Sequence, residues 1–226
     1  MLAATFLVTV VVALGAYNLL VERPRRAASR RREGLLVVGP APLEERIGPL
    51  PGGVFLQNGF TWSRLVPDGS IEVGVNPMLM GLVGDHAELR ISDPGERIER
   101  GAELAEIGTD GRSLHLRAPV AGRIKARNRY PDGRLDWNSV RDGADAWLLR
   151  IEPDDLARDV PAWMIGSEAA DWTRDRYERI REHLQRSVPA GEAGMALADG
   201  GAVPVGALKD LDSVAWESFE DAFLAC

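Results

Sequence analysis

Hydrophobic and polar positions divide this chain into three regimes. In the first, LAATFLVTVVVALGAYNLL, no charged residue occurs between Leu2 and Leu20, and Val21 extends the run. Twenty residues at ~1.5 Å rise cover ~30 Å, the thickness of a bilayer's hydrocarbon core, so the pattern predicts a transmembrane helix over residues 1–22. The second regime begins at Val54. Apolar and polar residues alternate in short runs: FTWSRLV, SIEVGVN, HAELRI, GRIKARN and AWLLRIEP. A period of two predicts strands with one buried face. The turn Pro67-Asp68-Gly69 predicts a hairpin between the first two runs, and Pro131-Asp132-Gly133 a polar loop before the last. PMLMGLVG interrupts the strands with Pro77 where a first helical turn tolerates it, which predicts a short helix. In SDPGERIERGAELAEIG, Gly95 and Gly101 flank Ile98, and strand-like Leu104 and Ile107 follow. Short strands with Gly-rich turns predict a small β sandwich or barrel over residues 54–156.

The third regime, residues 157–226, reads as helical. SEAADWTRDRYERIREHLQRS brings Trp172, Tyr177, Ile180 and Leu184 near one helical face. DSVAWESFEDAFLAC spaces Trp216, Phe219 and Phe223 at i, i+3 and i+7 behind Asp212, an N-cap candidate. Between them, MALADGGAVPVGALKDL predicts a small hairpin about Asp199-Gly200-Gly201.

Charge sharpens the first regime. Arg23, Arg25, Arg26, Arg30, Arg31 and Arg32 follow the apolar run, against Glu22 and Glu33. A cleaved signal peptide carries its positive charge before the apolar core, so this arrangement favours an uncleaved anchor. The positive-inside rule puts the arginines and everything after them in the cytoplasm, with the N-terminus outside a bacterial-type inner membrane. The cluster then meets anionic headgroups, worth ~1 kcal/mol per residue near the surface. Residues 23–53 are expected to act as a basic stop and an extended Pro/Gly-rich linker that lies on a neighbouring surface.

The net charge is −7, but residues 1–33 carry +4 and the remaining 21 basic and 32 acidic residues leave −11. So acidic a body argues against nucleic acid as a partner. The lone cysteine, Cys226, has no partner for an internal disulfide. Only two of 27 basic residues are lysines, Lys125 and Lys209.

That scarcity bears on residues 108–122, GTDGRSLHLRAPVAG. An Asp-Gly turn separates two alternating runs, and Pro-Val-Ala-Gly closes the second, as in a hairpin presenting its tip. The segment from about Phe60 to Leu156 resembles the H protein of the glycine cleavage system, a lipoyl-carrier family. FTWSRLVPDGSIEVGVN resembles that family's opening hairpin, with Trp62 kept and Phe60 in place of a histidine. In PMLMGLVGDHAELRI, Leu82, Gly84 and Asp85 match a Leu-Gly-Asp. PGERIERGAELAEI, APVAGRIKARN and AWLLRIEPDDL resemble later pieces in the same order.

The resemblance implies a barrel-sandwich hybrid, so the expected fold is mainly β: one N-terminal transmembrane helix, this hybrid, and a C-terminal helical extension with a small hairpin. In the family the lipoyl group sits on a lysine in the hairpin tip. Counting back from Pro119, that position falls at or next to Gly111, where no lysine stands. Arg112 cannot substitute, because its guanidinium is never a free nucleophile in a protein. Lys125 and Lys209 match no part of the motif. The expectation is therefore no cofactor, with Asp110, Gly111 and Arg112 offering only shape, charge and hydrogen bonds.

Other chemistry finds no support. His86, His115 and His183 share no metal-ligand spacing, and His86 with Glu88 makes only two ligands. No nucleophile elbow, P-loop or dinucleotide glycine pattern occurs. The expected protein is a non-enzymatic, single-pass subunit. Its H-protein-like domain docks on or stabilises a larger membrane complex, of the respiratory or photosynthetic electron-transport kind by analogy. Its partners are then the lipid bilayer and the other subunits. A carrier with non-standard attachment and an efflux-type membrane adaptor are the alternatives. Trp172, Tyr177, Trp216 and Phe219 are the candidate partner anchors. The same four could instead pack the helices onto the β domain.

Overall fold

The computed structural model describes residues 42–47, 53–109, 111–130, 133–137, 140, 146–187 and 201–225. The chain divides into two compact units, Met1–Gly39 and Pro40–Cys226. The first unit, and with it the expected transmembrane helix and the six arginines, lies outside the described residues. Among the described residues no helix is long and apolar enough to cross a membrane.

Ten strands build two antiparallel sheets among the described residues. The larger has the order β1-β2-β3-β10-β8-β5: Val54–Leu56, Thr61–Leu65, Ile71–Val75, Trp147–Pro153, Gly122–Arg127 and Arg97–Ile98. The smaller has the order β7-β6-β4-β9: Arg112–Arg117, Glu103–Thr109, His86–Ile91 and Arg134–Asp136. Alternation sets the faces. In β4 and β7 every second residue is buried, so Ala87, Leu89, Leu114 and Leu116 face the core.

The β2–β3 hairpin closes as its turn residues dictate. Asp68 Oδ1 accepts from the Ser70 amide at 3.0 Å and Gly69 takes φ 81°. Gly74 in β3 leaves room for the Trp62 indole, since a Cβ there would come within 2.3 Å of the ring. Helix α2 covers Pro77–Val83. Asn76 caps it by accepting from the Met78 amide at 2.9 Å, Pro77 occupies the first turn, and every residue of it is buried.

Two local expectations need correction. The polar loop after β8 contains strand β9, held by pairing Leu135 with Ala87 in β4. The linker is not merely extended, because Leu43–Arg46 form a one-turn helix, α1, with Leu43 fully buried and donating its amide to Val203 O at 2.7 Å. The first arm of the expected small hairpin lies outside the described residues. In its second arm Pro204 makes an isolated bridge to Pro42, and a 3-10 helix spans Ala207–Asp210.

The C-terminal extension holds α3 (Leu156–Asp159), a 3-10 turn (Val160–Ala162), α4 (Ser167–Ser187) and α5 (Ser213–Phe223). Asp212 caps α5 by accepting from Ala215 N at 2.8 Å. The extension covers one edge of each sheet. Met164 exchanges backbone hydrogen bonds with Leu56 of edge strand β1, at 2.9 and 3.0 Å. At edge strand β7, the His115 amide donates to Glu220 Oε1 at 3.0 Å. Both contacts occupy backbone groups that an uncovered edge would offer to other chains.

Candidate functional site

The β6–β7 hairpin is the feature that a carrier would use. Thr109 pairs with Arg112 at its end, and Gly111 makes the turn with φ 76°, a left-handed conformation that suits glycine. Asp110 lies outside the described residues. The exposed Gly111 has no side chain, and no lysine lies anywhere from Glu103 to Arg117. A lipoyl group needs a primary amine for its amide, so the tip as built does not fit that group.

Arg112, the next residue, is turned back onto the protein. Its guanidinium donates from Nη1 to Leu211 O and from Nη2 to Lys209 O at 3.1 Å, and lies 4.7 Å from the Trp216 ring centroid. Trp216 Nε1 in turn donates to Ser113 O at 3.0 Å. One turn further along α5, Glu220 Oε1 meets His115 Nδ1 at 2.5 Å. Arg112, Ser113 and His115 of the hairpin's second strand are thus tied to the last 18 residues of the chain. Ser113 also donates its hydroxyl to Glu106 on β6, which holds the Glu106 carboxyl below its usual range.

The four aromatic candidates separate by burial. Tyr177, Trp216 and Phe219 are 6%, 4% and 0% exposed, so the packing alternative describes them. Burial pushes the Tyr177 hydroxyl up to about 12, while its oxygen accepts from Val203 N at 3.0 Å. Phe219 stacks on Phe223 at 4.9 Å, and His183 meets both rings edge-on. Trp172 alone is half-buried. Its Nε1 donates to Asn58 Oδ1 at 3.0 Å, and its ring stands edge-on to Phe60 at 5.7 Å. Gly111, Arg112 and Trp172 are therefore the accessible described members of the expected interaction set. Lys125 pairs with Glu152 at 4.0 Å on the face of β8. Lys209 is exposed; its carbonyl receives Arg112, and its ammonium lies beside Gly84.

Residues missed from sequence share one property: their partners are far along the chain. His115 and Glu220 are 105 positions apart, and Trp216 and Ser113 are 103 apart. The one local signal was the alternation of β7, which turns Ser113, His115 and Arg117 away from the core. Among the described residues no group of three or more His, Cys, Asp or Glu could hold a metal ion.

No family model matches the chain. Among curated proteins it is similar to the glycine cleavage system H protein of Ralstonia nicotianae (strain ATCC BAA-1114 / GMI1000), 31% identical over 93 residues, covering 41% of this chain and 72% of that protein. It is also similar to the glycine cleavage system H protein of Azoarcus sp. (strain BH72), 30% identical over 105 residues, covering 46% and 81%. A crystal structure of a glycine cleavage system H protein from Mycobacterium marinum is 20% identical with a TM-score of 0.43, covering 55% of this chain and 98% of that one.

Proposed function

The chain belongs to the glycine cleavage system H protein family, and we propose that this member has exchanged the carrier role for a docking one. It acts as a non-catalytic subunit, anchored in the membrane by residues 1–22. Its β domain holds or stabilises a larger membrane complex on the cytoplasmic face. The hairpin tip carries this reading. A carrier's tip needs an amine to load and freedom to move its cargo. This tip ends in Gly111 and Arg112, and Arg112 is hydrogen-bonded and stacked onto Lys209, Leu211 and Trp216. Neither requirement is met. The apolar run followed by six arginines supports the anchor, and the acidic remainder supports a protein rather than a nucleic-acid partner.

A second reading keeps the carrier role and moves its attachment. One observation favours it: the C-terminal segment brings exposed Lys209 against the hairpin tip through its carbonyl. Intact mass of the purified full chain separates the two. Docking requires the unmodified mass, together with co-purifying membrane subunits after mild detergent extraction. A lipoyl-sized gain mapped to Lys209 or Lys125 would replace the docking proposal with the carrier one. An unmodified chain that co-purifies with nothing would sink both.

A further inference from the structure

At the base of the β6–β7 hairpin, the end away from Gly111, the chain forms a cavity of about 310 Å³. Arg117 of β7 and Arg100 before β6 line it, together with Gln57, Trp163, Ala118 and Pro119. No aspartate or glutamate is among its lining residues. Gln57 and Trp163 are each 7% exposed, and Gln57 Nε2 and Trp163 Nε1 have no hydrogen-bond partner. The Gln57 amide is oriented, because its Oε1 accepts from the Thr61 hydroxyl at 3.2 Å, which leaves Nε2 as the free end. Two buried N–H donors without acceptors are uncommon in a folded protein and call for an acceptor delivered to them.

The charges say what kind of acceptor. Arg100 donates to Asp159 Oδ1 at 3.2 Å, and Asp159, fully buried, also receives Arg158 Nε at 3.3 Å. Asp159 thus shares one negative charge between two guanidiniums. Arg117 makes no ion pair among the described residues, and the exposed Glu103 is its register partner on β6. The Arg117 guanidinium, two neutral donors and an apolar wall of Ala118, Pro119 and the Trp163 ring face a shared space. We infer that this cavity binds a small organic monocarboxylate. One carboxylate oxygen pairs with Arg117, the other accepts from Gln57 Nε2 and Trp163 Nε1, and the hydrocarbon part lies against the apolar wall. At ~30 Å³ per water-sized unit the space takes roughly ten non-hydrogen atoms. Water could satisfy the two N–H groups but would leave the apolar wall hydrated. Inorganic phosphate has no hydrocarbon part to lie against the apolar wall of Ala118, Pro119 and Trp163.

The test uses the ¹⁵N-labelled full chain titrated with hexanoate, reading the Trp163 indole and Gln57 side-chain amide resonances. The inference expects both to shift saturably with hexanoate and to stay in place with hexanamide, which has the same shape without the charge. Arg117→Gln should weaken hexanoate about tenfold or more, as loss of a charge-assisted hydrogen bond does. Arg117→Lys, which keeps the charge, should restore most of it, and Trp163→Phe, which keeps the ring and deletes the N–H, should weaken binding several-fold. No shift of either resonance at 10 mM hexanoate, on the order of the weakest useful small-ligand affinities, overturns the inference. So does an equal response to hexanamide, or unchanged affinity in Arg117→Gln. Displacement of hexanoate by equimolar inorganic phosphate overturns the carboxylate assignment.

Discussion

Arg112 lies over the Trp216 ring, 4.7 Å from its centroid, and so closes the hairpin that a carrier would leave open. The relationship joins the tip of one sheet to a helix that begins about 100 residues later. It combines a cation over an aromatic face with charge-assisted hydrogen bonds to two carbonyls.

The lock predicts a graded response. Trp216→Ala removes a buried ring and its hydrogen bond to Ser113, and is expected to cost about 3–5 kcal/mol in urea unfolding. Arg112→Ala removes only the clasp and should cost about 1–2 kcal/mol, while limited proteolysis of residues 201–225 accelerates. Equal protease resistance in wild type and Arg112→Ala would show that the clasp does not hold the extension down.

Glu72 is buried in β3 and bridges two arginines, Arg64 at 2.9 Å and Arg150 at 2.7 Å. Removing the carboxylate strands both guanidiniums beside the sheet. Glu72→Ala is expected to lose about 3 kcal/mol, and Glu72→Gln less. A chemical-denaturation midpoint unchanged in Glu72→Ala would place the pair's contribution near zero.

Gly74→Ala tests packing against Trp62. The added methyl would meet the indole at 2.3 Å, and the ring is only 1% exposed, so it has little room to move. The expected loss is about 1–3 kcal/mol. A melting temperature within a degree of wild type, on the order of experimental error, would mean that the β2–β3 pair relaxes around the methyl.

His183 makes stability depend on pH. Burial against Phe219 and Phe223, with the Arg186 charge nearby, lowers its pKa below the ordinary 6.5, against a raising hydrogen bond with the Ala215 backbone. A depressed histidine pKa means that the unfolded chain takes up the proton first. Its contribution is therefore present above pH 6.5 and is lost as pH falls from there toward the folded value. Urea unfolding of wild type and His183→Gln at pH 7.5 and 5.5 should show a smaller acid loss in the variant. Parallel losses would assign the acid sensitivity to other groups.

Protease added to intact cells should leave the body uncut if it faces the cytoplasm, as the arginines after the apolar run require. Digestion of the β domain under those conditions would reverse the orientation.

Local pattern was enough for elements whose signals sit within a few residues of one another. Pro67-Asp68-Gly69 reads as a hairpin because Asp68 and Gly69 make the turn themselves, and Asn76-Pro77 starts α2 with its own cap. The absent lysine is likewise plain in the sequence, since composition alone leaves only Lys125 and Lys209. Strand β9 was not legible, because three residues carry too little periodicity and gain strand geometry only by pairing with β4. The bridge between Pro204 and Pro42 was not legible either, because the two prolines are far apart in the chain. Whether Trp216 faces a partner or the core, and whether Arg112 is free or clasped, depends on where α5 docks. An amphipathic helix records that one face will be buried, but not against what. Only the tertiary structure decides that, because the energy comes from surfaces about a hundred residues apart, whose meeting no local window contains.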